Sequence, residues 1–255
     1  MMVPDTSQIP ASNLLRRWEA RHKLIGIMAL IFSFAFIRDL YLLPMVVVIT
    51  LIIYSAAQLS LAYYWSRIRL PGIFLLVMAL VLPFGAGNTV LAQFGPLSLK
   101  LEGLLAVLLI SVKFLCIFAL VLILFAGTPF HKMISALRGL GLPALLTEMI
   151  IFTNRYIYQL AGDLHKTQVA AGLRGFRGHS LPALKTLSHI VGTLLVRSYD
   201  QAERVFQAMT LRGYGEKSLS NSLDRPGNGD RLALAGFLLL ALLIIALQIY
   251  FSAKL

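Results

Sequence analysis

The sequence predicts an all-α, polytopic membrane protein with a helical domain outside the bilayer, and three observations carry that prediction. The first is composition. Of 255 residues, 58% are hydrophobic and only 13% charged, and mean hydropathy is +0.79, whereas soluble domains carry about a quarter charged residues. The second is a series of long apolar runs broken by short charged or glycine-rich turns. The third is one polar stretch, residues 128–230, whose apolar positions recur at helical spacing. The net charge of +12 does not indicate nucleic acid, because the basic residues gather at the ends of apolar runs.

The elements follow in chain order. Residues 1–23 are polar, contain Arg16, Arg17, Arg21 and Lys23, and lack a small-residue cleavage site. They read as a cytoplasmic leader, not a signal peptide. Apolar runs then occupy 24–37, stopped by Arg38 and Asp39, and 40–64, stopped by "WSRIR". Further runs occupy 70–84, ending in "GAGN", then 103–126 and 232–251. A spanning helix needs roughly 20 apolar residues, with about 17 as the short limit, so the first and third runs are short. The count is five spans, or six if 142–160 is also embedded. The expected organisation is a leader over 1–23, four membrane helices within 24–127, a helical domain over 128–230 and a last membrane helix within 231–255.

Lysine and arginine set the orientation. The leader has four, "WSRIR" two and the 128–230 stretch twelve, while the two alternate loops hold one each. Five spans then place the N-terminus and the long polar stretch in the cytoplasm, with the C-terminus outside.

That polar stretch reads as helices. Thr128 and Pro129 open one, and Arg138-Gly139 end it. Leu145, Met149, Phe152, Tyr156, Leu160 and Leu164 repeat at helical spacing in the next. Ser180 and Pro182 open a third, where Leu184, Leu187, Val191, Leu194, Val205 and Met209 form an apolar stripe. Arg197, Asp200, Arg204 and Gln207 lie off it, with Asp200 and Arg204 spaced to pair across a turn. The two long helices are expected to turn their apolar faces to one another.

Three of these helices end in Leu-Arg-Gly: Leu137 to Gly139, "LRGFRG" from Leu173 and "LRGYGE" from Leu211. As plain helix stops they need no function, since glycine accepts the left-handed conformation and a cation suits the negative end of the helix dipole. The last two copies share more than that. "QVAAGLRGFRG" and "QAMTLRGYGE" both have an upstream glutamine, small residues, the tripeptide and an aromatic. Leu173, Arg174, Gly175 and Phe176 thus match Leu211, Arg212, Gly213 and Tyr214, as two equivalent surfaces for two equivalent partners would. An arginine between an apolar and an aromatic residue is also good interface chemistry.

"SYDQAERVFQAMTLRGYGE", from Ser198, and "ISALRGLGLPALLTEMIIFTNRYIYQL", from Ile134, resemble the CbiQ family. This family comprises the transmembrane T-components of energy-coupling-factor transporters for cobalt or nickel. The two copies stand where that superfamily carries paired Ala-Arg-Gly signatures, with leucine here in place of alanine. The resemblance implies a bacterial inner-membrane subunit, non-catalytic and without a cofactor. It would work with two cytoplasmic ABC ATPase subunits and a membrane subunit that captures Co²⁺ or Ni²⁺. The eight residues from the two copies would dock on the ATPases, Arg174 and Arg212 meeting acidic groups there. Arg138 is not one of the signatures and is left as a helix stop.

Other chemistries find little support in the sequence. "GYGEKS" glances at a phosphate loop, but Glu216 interrupts it and no Gly-Lys-Ser/Thr occurs. His22, His131, His165, His179 and His189 lack ligand spacing, and the lone Cys116 offers neither disulfide nor cysteine metal site. Lys113, inside the fourth run, is expected to face a partner subunit or a polar cavity rather than line a transport path. The alternatives are a T-component for a vitamin, a self-sufficient transporter, which would want polar midplane residues in several spans, or a lipid-modifying enzyme, which would want a clustered catalytic set.

Overall fold

The computed structural model describes residues 18–85, 90–94, 97–176, 181–214 and 228–254. Most of the leader, residues 86–89, Ser180 of the expected helix opening and the end of the polar stretch at 215–227 lie outside the described residues. The chain divides into two compact units, one of residues 1–140 with 224–255 and the other of residues 141–223.

The first unit is built round helix α1, Ala20–Phe36. Its Ile27, Leu30 and Phe34 are completely buried. A 3₁₀ turn, Leu40–Leu42, leads into α2, Leu43–Ala57, which Pro44 helps to start. The second apolar run does not continue as one helix to Tyr64. It stops at Ala57, where Gln58 adopts φ 49°, and Tyr63 and Tyr64 open α3, Leu61–Gly85. "WSRIR" is therefore helical, not a loop. The break instead follows it, because Pro71 lacks an N–H and its ring crowds the carbonyl four residues back. The segments Leu61–Arg69 and Pro71–Pro83 meet at 65°.

A two-stranded antiparallel hairpin, β1 Val90–Phe94 and β2 Leu97–Lys100, occupies the expected loop and leads into α4, Leu101–Ala126. Helix α5, Phe130–Gly139, packs under α1. Helix α8, Asn228–Lys254, returns along α1. There Gly26 lets Phe237 approach so closely that a β-carbon would sit 3.2 Å from Phe237 Cβ, and Ser33 Oγ donates to Ala241 O at 3.1 Å. Trp18 adds a ring contact to Phe237 at 5.1 Å and a bond to Asp230 O at 3.3 Å.

Among the described residues, Leu40–Ala57 (the 3₁₀ turn together with α2), α4 and α8 are long and apolar enough to cross a membrane, and the bent α3 makes a fourth if its halves form one span. Helix α1, with 17 residues, stands at the short limit. The 142–160 stretch does not qualify: it belongs to a helix carrying Glu148, Arg155 and Asp163 in the second unit.

The half-buried Lys113 is engaged within the chain. Its Nζ donates to Ala35 O at 2.8 Å and Ile37 O at 2.6 Å, the last carbonyls of α1. Those carbonyls have no intrahelical donor, and in hydrocarbon each needs one. At the other end of the antiparallel α1–α4 pair, the ammonium of Lys23 occupies the space a β-carbon on Gly127 would need, just past the last residue of α4. Lys23 is 1% exposed. The two lysines are not equivalent: Lys113 donates to the carbonyl end of α1, whereas the buried Lys23 Nζ has no hydrogen-bond partner among the described residues. Buried Gln248 of α8 closes the same corner, accepting from Arg38 N at 3.2 Å and donating to Asp39 Oδ2 at 3.0 Å.

The second unit is a pair of 30-residue helices, α6 Ala144–Leu173 and α7 Leu181–Thr210. Their apolar faces are covered only in part: Ile190 is buried and Phe152, Tyr156, Leu160, Leu164, Leu194, Val205 and Met209 are half-buried. Leu145, Met149, Leu184, Leu187 and Val191 all remain exposed. The expected pair of Asp200 with Arg204 is not among the ion pairs of the described residues.

Candidate functional site

Helices α6 and α7 end alike. The N–H of Phe176 bonds to Ala171 O at 3.1 Å and that of Gly175 to Gly172 O at 3.0 Å. At the other end Tyr214 N bonds to Met209 O at 3.0 Å and Gly213 N to Thr210 O at 2.9 Å. These are two Schellman closures with glycine at the left-handed position, φ 84° at Gly175 and 79° at Gly213. The arginine is the last half-helical residue in both. The aromatic falls where this closure favours an apolar residue, so, contrary to the expectation above, the helix stop itself accounts for Phe176 and Tyr214 as well as for the glycines.

It does not account for the leucines. Leu173 is 87% exposed and Leu211 90%. Both arginines are exposed too, and a β-carbon on either glycine would meet nothing within 4 Å. Each tip is therefore a bare surface of leucine, arginine and backbone.

The first Leu-Arg-Gly is a different object. Helix α5 continues through Gly139, and the glycine with positive φ is Gly141, at 107°. Arg21 lies across Gly139, 3.3 Å from where a β-carbon would be. The helix ends at this copy, as expected, but the left-handed residue is Gly141 rather than the copy's own glycine.

The Tyr214 hydroxyl donates to the Glu148 carboxylate, early in α6. That bond pushes the Tyr214 pKa above the ordinary tyrosine value. It also fixes the arrangement of the pair. The end of α7 meets the start of α6 while the chain reverses between Leu173 and Leu181, so the helices run antiparallel. The two tips then stand at opposite ends of a 30-residue helix, roughly 45 Å apart at 1.5 Å rise per residue. Glu148 carries no sequence signal: it is one acid on a helix until the fold brings Tyr214 to it.

In the first unit, a groove of about 930 Å³ between α2 and α8 is lined only by apolar residues, among them Met45, Val48, Leu239 and Leu243. It offers no group that could hold an ion.

An α-helical, multi-pass membrane protein with a two-helix unit bearing a matched, exposed tip at each end is the class this geometry defines. The sequence matches the CbiQ family, cobalt transport protein, over residues 11–222, and the chain belongs to that family. It is 23% identical to an energy-coupling factor transporter transmembrane protein EcfT of Listeria monocytogenes, over 81% of this chain and 82% of the relative. With the EcfT protein of Bacillus selenitireducens it shares 25% identity over 93% and 94% of the two chains. It also matches a putative ABC transporter ATP-binding protein of Bifidobacterium longum at 28% identity, over 83% of this chain but 29% of that protein.

Proposed function

We propose that the chain is the T-component of an energy-coupling-factor importer, a non-catalytic subunit that carries ATP-driven motion from cytoplasmic ATPases to a membrane subunit capturing the cargo. The observation that carries this reading is the duplicated tip with its exposed leucine. A helix stop needs glycine and tolerates the aromatic; what it does not call for is the same exposed leucine beside an exposed arginine repeated at both tips. Arg174 and Arg212, beside them, suit carboxylates, and the roughly 45 Å between tips suits two separate ATPase subunits better than one groove. The Bifidobacterium longum relative, named an ATP-binding protein, contains a region like this chain, which supports the partnership. The polytopic unit supplies the membrane anchor. Its basic residues argue for a cytoplasmic 128–230 stretch in the inner membrane.

The cargo reading is Co²⁺ or Ni²⁺, held by the capture subunit rather than by this chain, and supported by the description of the family. The EcfT relatives' names carry no metal, which favours as second reading a T-component serving a capture subunit for another nutrient. Co-expression with candidate ATPase and capture subunits tests both. A tag on this chain should bring down an ATPase, and this chain alone should hydrolyse no ATP. Uptake of radioactive Co²⁺ or Ni²⁺ by the complex supports the metal reading. An importer that carries only another nutrient supports the second, and a chain that retains no ATPase refutes the T-component reading.

A further inference from the structure

Packing holds the angle between α6 and α7 only in part. Packed helices are fixed by side-chain ridges set into grooves; here Ile190 is buried and Leu194 half-buried, but Leu187 and Val191 stay exposed and Gly192 has open space beside it. At one end the chain itself ties the helices, between Leu173 and Leu181. At the other, the described contact is the bond from Tyr214 to Glu148. A contact at the far end of so long a pair has the greatest leverage on its angle.

Tyr214 is well placed to transmit such a constraint. Its backbone N–H is committed to Met209, so its backbone is fixed relative to the end of α7 and to Arg212, two residues before it. The acceptor is a carboxylate, which makes the hydrogen bond a strong type. The contact is also open to solvent, so it can break when the tip is loaded. The matching residue of the other tip, Phe176, has no hydroxyl and cannot form the same bond. The two tips, alike in backbone, are therefore unequal in attachment.

We propose that Glu148 and Tyr214 form a latch that sets the angle of the α6–α7 pair, and with it the spacing of the two tips on their ATPases, making Glu148 a positioning residue for coupling. This rests on the docking reading above, but the latch can be measured on the protein alone. Spin labels at Gln168→Cys and Ala208→Cys, with buried Cys116 left in place, report the distance between the tips. The intact protein should give one narrow distribution. Tyr214→Phe, which copies the residue of the first tip and keeps its backbone closure, should broaden it, as should Glu148→Ala. The double variant should be no broader than either single one, because both remove the same bond. Phe176→Tyr should leave it unchanged.

In the assembled transporter the coupling test is made with Glu148→Ala, because Glu148 lies outside the docking tips and the ATPase should stay bound. Uptake per ATP hydrolysed should fall severalfold, and Glu148→Gln, which keeps an acceptor oxygen, should recover part of it. Unchanged distance distributions in Tyr214→Phe and Glu148→Ala would overturn the latch whatever the ATPases do. Broadened distributions with unchanged uptake per ATP would overturn its role in coupling and leave the docking reading standing.

Discussion

At Gly175 and Gly213 the backbone has φ near 80°, a conformation that costs other residues about 1–2 kcal/mol. Alanine at either position has room for its β-carbon and should lose stability only through that strain. Gly175→Ala and Gly213→Ala should each fray the last turn and destabilise the helix end by about 1–2 kcal/mol, read as faster amide exchange at Phe176 or Tyr214. Gly139→Ala meets a different obstacle, the Arg21 side chain, and should not fray the end of α5. Tyr214 gives a second test at this scale. Its hydrogen bond to Glu148 raises its pKa, so the bond's contribution is present below the ordinary tyrosine value and is lost only as pH rises through the raised one. In Glu148→Gln the Tyr214 titration, followed by carbon-13 resonance, should move back toward the ordinary range. The tripeptide itself was legible in the sequence, as was its likeness to a signature. That the third copy differs was not, because the difference lies in which of two glycines, Gly139 or Gly141, takes positive φ.

Among elements, α4 holds α1 by its carbonyl end through Lys113. Lys113→Met keeps the apolar stem but leaves the carbonyls of Ala35 and Ile37 without their donor. Stranding buried polar groups costs about 1–3 kcal/mol. Unfolding in detergent should show a loss of that size, and Lys113→Arg, which still donates, should lose less. Gly127→Ala should cost a comparable amount, about 1–3 kcal/mol, by displacing the buried Lys23. The apolar run around Lys113 was plain from the sequence, but its partner was not. The carbonyls of Ala35 and Ile37 are some 77 residues away and belong to every residue type alike. The long helices α6 and α7 were readable because their apolar positions keep one period for eight turns. The break at Gln58 was hidden inside an unbroken apolar run, where hydropathy gives no sign of φ. The apolar faces of α6 and α7 were visible too, but the sequence cannot say that Leu145, Met149, Leu184, Leu187 and Val191 on them would stay exposed.

For the whole molecule, composition alone fixed the class, since a chain with 58% hydrophobic residues cannot keep so much apolar surface out of water as one soluble core. Topology adds a direct test. A cysteine at Tyr41, an exposed residue of the 3₁₀ turn, should react with an impermeant reagent applied to intact cells. One at exposed Lys166 should react only after the cells are opened. The reverse pattern would put the tips on the wrong side for ATPases. The central claim is that the tips are docking points, and a pull-down of the ATPase through this chain tests it most directly. Removing one charged partner from a closed interface costs about 2–5 kcal/mol, so Arg174→Ala and Arg212→Ala should each weaken ATPase binding by roughly thirtyfold to several thousandfold. The double variant, without the avidity of two tips, should retain none, while Arg138→Ala should bind normally. Full ATPase retention by both single variants and the double variant would contradict the account and leave Leu-Arg-Gly as a helix stop.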